Sequence, residues 1–126
     1  MKSLRKFLVS GFKGEFFRNK LVLWMISLNF IFNLANWVVL WHFIKPVDSS
    51  IILHYNVYFG VDLAGSWKNT FILPLIGLII ILINLALAYY FFAKLERIAS
   101  HILLIASFMA QLSLLVASAS VILINY

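Results

Sequence analysis

The side chains best suited to chemistry gather in LHYNVYFGVDLAGSW, Leu53 to Trp67, which holds a histidine, an asparagine, two tyrosines and an aspartate. His54 with Asp62 has the composition of an acid–base pair, and His42 and Asp48 would extend it to a nitrogen and oxygen ligand set. Neither grouping has the spacing of a metal site or a nucleophile–base pair, and no nucleophile stands beside a base. The chain has no cysteine, which excludes disulfides, thiolate metal sites and cysteine nucleophiles. A bis-histidine haem needs two imidazoles facing each other at one depth. His42, His54 and His101 fall at one end of a span, in the loop and at the opposite end of another span, so no such pair forms within one chain. The set argues against an enzyme, a metal or a cofactor. His54, Tyr55, Asn56, Tyr58 and Asp62 are instead a candidate recognition loop.

A second polar set lies inside long apolar runs. Asn29, Asn33 and Asn36 are four and three apart, so they share one helix face, and Asn84 and Gln111 stand in two further runs. Counted inward at the helical rise, Asn33 and Gln111 lie about 18 Å deep and Asn84 about 13 Å, so all could meet mid-bundle. A polar pathway normally uses ionisable groups at depth, and these runs have none there. The amides are therefore expected to form interhelical hydrogen bonds, worth about 0.6–2 kcal/mol each in a membrane. Ser107, Ala110, Ser113, Ala117 and Ser120 form a small-residue stripe, a candidate face for helix association with the same chain, a copy or another protein.

These residues must be positioned by membrane-spanning elements. Of the 126 residues 64% are hydrophobic and 11% charged, and the mean hydropathy is +1.03. Soluble domains are about a quarter charged. Three runs, 21–44, 71–93 and 99–125, are long enough to cross about 30 Å of hydrocarbon at roughly 1.5 Å per residue. Backbone groups in lipid must be satisfied within the segment, so each run is expected to be a helix. Pro74 fits in the first turn of the second, where its missing N–H has no partner to lose. The class is all-α integral membrane, one domain over 1–126, without internal repeat or linker.

Charge gives the orientation. Lys2, Arg5, Lys6, Lys13, Arg18 and Lys20 precede the first run with only Glu15 opposing them, and KLER between the second and third adds Lys94 and Arg97. The 45–70 loop balances Lys45 and Lys68 with Asp48 and Asp62. The positive-inside rule then predicts N-terminus in, 45–70 out, and C-terminus out. Trp41, Trp67, Tyr89, Tyr90 and Tyr126 near span ends suit an aromatic belt. The basic flank suits anionic lipid headgroups rather than nucleic acid. FLVSGF is short and leads to no small-residue cleavage site, unlike a cleaved signal peptide. In 3–19, Leu4, Phe7, Leu8, Gly11, Phe12 and Phe16 recur at three and four, predicting an amphipathic interfacial helix within the basic segment 1–20.

In the loop, alternation sets Leu53, Tyr55, Val57, Phe59, Val61 and Leu63 against His54, Asn56, Tyr58, Gly60 and Asp62. Period two with aromatic and β-branched residues predicts an extended or strand-like segment, its apolar row resting on the helix ends. A lone strand leaves backbone groups unpaired, so a second strand is expected from this loop, a copy or a partner. His54-Tyr55-Asn56, then Gly60 and Asp62, then Lys68 and Phe71-x-x-Pro74 resemble, over about 45–85, an uncharacterised bacterial membrane domain. That domain stands at the N-terminus of immunity proteins of the sporulation-delaying-protein type. The chain departs from the pattern in having Ile52-Leu53 where a proline usually precedes the histidine, and in lacking the further spans. The resemblance implies membrane topology and an outward recognition loop but carries over no immunity function, since that domain has no agreed activity; a bacterial inner or plasma membrane is the expected location.

The reading from sequence is a non-enzymatic small membrane protein acting by lateral association, as an accessory subunit or homo-oligomer. The alternatives are an outward sensor or immunity-type protein recognising a ligand through 53–67, and an oligomeric channel or carrier lined by the amides.

Overall fold

The computed structural model describes residues 1–6 and 14–126. Three helices carry it: α1 Lys20–Phe43, α2 Ile72–Ala93 and α3 Arg97–Asn125. Between α1 and α2 lie strands β1 Ile51–Asn56 and β2 Gly60–Gly65, then a 3-10 turn Trp67–Phe71 leading into α2. The helices are long and apolar enough to cross a membrane, and their bounds fall within two residues of the three runs in the sequence. The protein is mostly helical with one small sheet, so all-α holds for the spans and not for the loop.

Burial explains which faces meet. The inner residues are Val22, Asn29, Asn33, Asn36 and Leu40 on α1, and Pro74, Gly77, Ile81, Ala88 and Phe92 on α2. On α3 they are Ser100, Leu104, Ser107, Gln111, Ser118 and Val121. Most steps are three, four or seven residues, the repeat of left-handed helix packing. In lipid an apolar side chain gains little by turning inward, since the hydrocarbon outside is as apolar as its neighbours. Small size and hydrogen-bonding capacity therefore choose the middle of the interior, with larger apolar residues at its two ends. Leu34, Val38, Ile79, Leu82 and Val116 are left exposed.

The interior has three levels. At the end holding the chain's N-terminus, Phe16, Val22, Ala88, Phe92 and Leu104 form an apolar cluster. At the hairpin end Leu40, Ile44 and Val121 form another, with Trp67 and Phe71 packed on it. The buried amides lie between. Two helix ends are closed by recognisable chemistry. Asn19 caps α1, its Oδ1 accepting from the amides of Leu21 and Val22 at 3.0 and 3.2 Å. α2 ends in a Schellman turn, with Leu95 at φ 65° and the Glu96 N–H donating to the Phe91 carbonyl at 2.9 Å.

The interfacial helix expected over 3–19 is corrected in part. Residues 2–6 are helical, and 7–13 lie outside the described residues. Over 15–19 the chain makes a turn, with the Arg18 and Asn19 amides donating to the Glu15 carbonyl. Phe16 is buried, edge-on to Tyr89 at 5.5 Å and Phe92 at 5.3 Å between ring centroids. Three aromatic contacts hold it under α2, counting its neighbour Phe17.

Candidate functional site

The 45–70 loop supplies both strands of its own hairpin. β1 and β2 pair antiparallel, with Ile51 opposite Gly65, Tyr55 opposite Val61 and Asn56 opposite Gly60, and with register irregularities between Ile52 and Tyr55. Val57, Tyr58 and Phe59 make the turn. Asn56 Oδ1 accepts from the Tyr58 amide at 2.8 Å, and Gly60 closes the turn at φ 77°, a left-handed conformation that glycine adopts without strain.

The base of the hairpin is clamped by the end of α3. Asn125 Oδ1 accepts from the Ile52 amide at 2.8 Å while its Nδ2 donates to the Ile52 carbonyl at 2.6 Å and to Val121 O at 2.8 Å. The side-chain amide thus acts toward β1 as the peptide group of a third strand would. Beside it, the Lys45 amide donates to the Tyr126 hydroxyl at 3.2 Å. Sequence reasoning missed Asn125, because an asparagine near a span end has no local signal for a contact 73 residues away.

The five candidate loop residues do not form one site. His54 Nδ1 meets Asp62 Oδ1 at 2.6 Å, with side chains 63% and 40% exposed. So exposed a pair adds little to stability. Asn56 is engaged by the turn, Tyr55 lies on the opposite side beside Val61, and Tyr58 stands at the tip. The apolar row rests on the helices only at its base. Ile51 is buried, whereas Tyr55, Val61 and Leu63 are about half exposed. His42 packs edge-on to Phe43, and His101 Nδ1 lies 2.6 Å from the Arg97 carbonyl. Among the described residues no three His, Asp or Glu come close enough to hold a metal ion.

The amide layer joins all three helices. Asn33 Nδ2 donates to Pro74 O at 2.9 Å and to Gln111 Oε1 at 3.2 Å. Its Oδ1 accepts from the Trp37 indole at 3.2 Å, and Gln111 Nε2 donates to Gly77 O at 3.0 Å. A Cβ on Gly77 would come within 2.7 Å of Gln111 Oε1 and 2.8 Å of Asn33 Nδ2. Glycine is what lets the amides reach the α2 backbone. Asn29 Nδ2 donates to Met25 O and, across the interface, to Leu104 O. Asn36 is also buried, and Oδ1 of both Asn29 and Asn36 accepts no hydrogen bond among the described residues.

Two expectations about the spans are corrected. Asn84 does not join the layer, since its Nδ2 donates to Ile80 O in its own helix at 2.9 Å. Its neighbour Leu85 packs on the apolar cluster with Met25, Ile26 and Leu104. The small-residue stripe is not one face. Ser107 is buried, Ala110 and Ala117 are half-buried, and Ser113 and Ser120 are exposed with hydroxyls donating to Met109 O and Val116 O. Its steps average less than the helical repeat, so the line winds about 140° around α3 between Ser107 and Ser120. The buried line runs through Ser100, Ser107, Gln111 and Ser118.

At the opposite end from the hairpin the basic residues collect. Arg97 pairs with Glu15 and lies over the Phe92 ring at 5.1 Å. Ser3 and Leu4 share a groove with Tyr90 and Lys94. No family model, curated protein sequence or solved structure matches this chain.

Proposed function

We propose that this is a non-enzymatic integral membrane protein that works by lateral association, as an accessory subunit of a membrane complex or as a homo-oligomer. The observation that carries it is the outward side of α3. Ala106, Ser113 and Ser120, seven residues apart, are exposed there with Met109 and Val116, on a face its own bundle does not use. Both serine hydroxyls are satisfied within the helix, so another helix can approach closely without stranding a polar group. The basic end lies at the inner face of a cell membrane, bacterial inner or plasma, against anionic headgroups, and the hairpin lies outside.

Native mass measurement of the full chain in mild detergent tests this. A species larger than one chain that reverts to one chain in Ser113→Leu/Ser120→Leu is the expected result. A wild-type chain that is monomeric and alone would refute it.

A second reading, an outward sensor or immunity-type recognition protein, is supported by the exposed His54–Asp62 pair. Loss of phenotype in His54→Ala with insertion intact would favour it. The channel reading has no such support, because the layer at Gly77 leaves no room even for a methyl group.

A further inference from the structure

The hairpin is polar on one side and apolar on the other, and only part of the apolar side is covered by protein. His54 and Asp62 occupy the polar side. On the other, Tyr55, Val61 and Leu63 are half exposed, and the tip residues Val57, Tyr58 and Phe59 are 86%, 90% and 85% exposed. No charge stands in this tip. A projecting finger of this composition in water would be an association liability.

The base of the hairpin shows which surface this side continues. A groove of about 330 Å³ is lined jointly by Leu53 and Leu63 of the hairpin, Ile72 and Leu73 at the start of α2, and Val121 of α3. Ile72 is itself half exposed, as are Leu75 and Ile76 on the following turn. The apolar side of the hairpin and the first turn of α2 are therefore two walls of one largely apolar concavity, which Asn69 and Thr70 also line. Asn125 and Tyr126 hold the hairpin at the level where α3 ends. Six extended residues from that level reach about 20 Å.

We infer that the hairpin lies on the bilayer as an interfacial flap, with Tyr55, Val57, Tyr58, Phe59, Val61 and Leu63 set among headgroups and upper acyl chains, and His54 and Asp62 facing water. The partner is lipid. A tyrosine and a phenylalanine at the tip suit the headgroup boundary, where aromatic rings partition. The inference rests on the helices spanning a membrane.

The absence of cysteine makes the test direct. Single variants Phe59→Cys, Val61→Cys, His54→Cys and Ile79→Cys of the full chain are nitroxide-labelled in vesicles of mixed zwitterionic and anionic phospholipid. Spin relaxation by oxygen, which concentrates in lipid, is compared with relaxation by a water-soluble nickel chelate. Positions 59 and 61 should follow the mid-span position 79, with an oxygen-to-nickel ratio several-fold above that at 54. A nickel response at 59 equal to that at 54 puts the tip in water and overturns the flap. Protection at 59 from both reagents puts it inside a protein contact, with a second copy or another chain, and overturns it equally. A nickel response at 79 removes the spanning reading itself, an outcome distinct from failure at the tip alone.

Discussion

Replacing Gly77 by alanine pits two known effects against each other. Alanine in a helix interior is favoured over glycine by about 1 kcal/mol, so on propensity alone the change stabilises α2. The new methyl would sit 2.7 Å from Gln111 Oε1 and 2.8 Å from Asn33 Nδ2, both on buried side chains. Relief requires these groups to move, which puts at risk the bonds from Asn33 to Pro74 O and Gln111 and from Gln111 to Gly77 O. Losing two such bonds costs about 1–4 kcal/mol, and overpacking a tight interior adds about 1–3. After subtracting the propensity gain, Gly77→Ala is expected to destabilise by about 1–6 kcal/mol, roughly fivefold at the least in the unfolding equilibrium.

Reversible unfolding in mixed micelles of mild and denaturing detergent, followed by helical circular dichroism, measures this change. With Trp24, Trp41 and Trp67 replaced by phenylalanine, Trp37 fluorescence gives a local readout, since its indole donates to Asn33. The deciding comparison is a double-mutant cycle with Gln111→Ala, which removes the nearest obstructing atom. In that background Gly77→Ala should cost at least 1 kcal/mol less. A stabilising Gly77→Ala, or an equal cost in both backgrounds, would refute the close-packed amide layer.

Three further outcomes follow from the same geometry. Asn33→Leu should lower stability by about 1–3 kcal/mol in the micelle assay, whereas Asn84→Leu should change it by under about 1, because among the described residues Asn84 bonds within α2. Asn125→Ala removes both bonds to Ile52, so hydrogen exchange in β1 should accelerate roughly tenfold or more while α1 and α2 exchange unchanged. Leu95→Gly relieves a left-handed residue that is 84% exposed, and should stabilise by about 1 kcal/mol in the same titration.

Which parts of this arrangement show in the sequence follows from what lipid does and does not dictate. It forces unbroken helices, so hydropathy alone places the spans to within two residues. Lipid does not sort apolar side chains inward, so hydropathy carries no sign of which way a helix turns. The amides carry that sign. Asn29, Asn33 and Asn36 are legible as an inner face because three polar groups on one side of a span have nowhere else to go, and all three are buried. Serine and alanine give a weaker sign, since a hydroxyl can satisfy itself on its own helix, as Ser113 and Ser120 do. The stripe drawn through them therefore wound off the interface that Ser107 belongs to. Gly77 and Asn125 lay beyond reach for another reason: each matters through a contact far along the chain, which spacing cannot encode. The hairpin is the intermediate case. Alternation locates its strands, and Gly60 its turn, but period two only divides residues between two faces. It leaves open whether the apolar face meets helices, as Ile51 does, or lies uncovered by protein, as Tyr55 and Phe59 do. For a strand tethered at the end of a span, the bilayer is one more surface that can cover it.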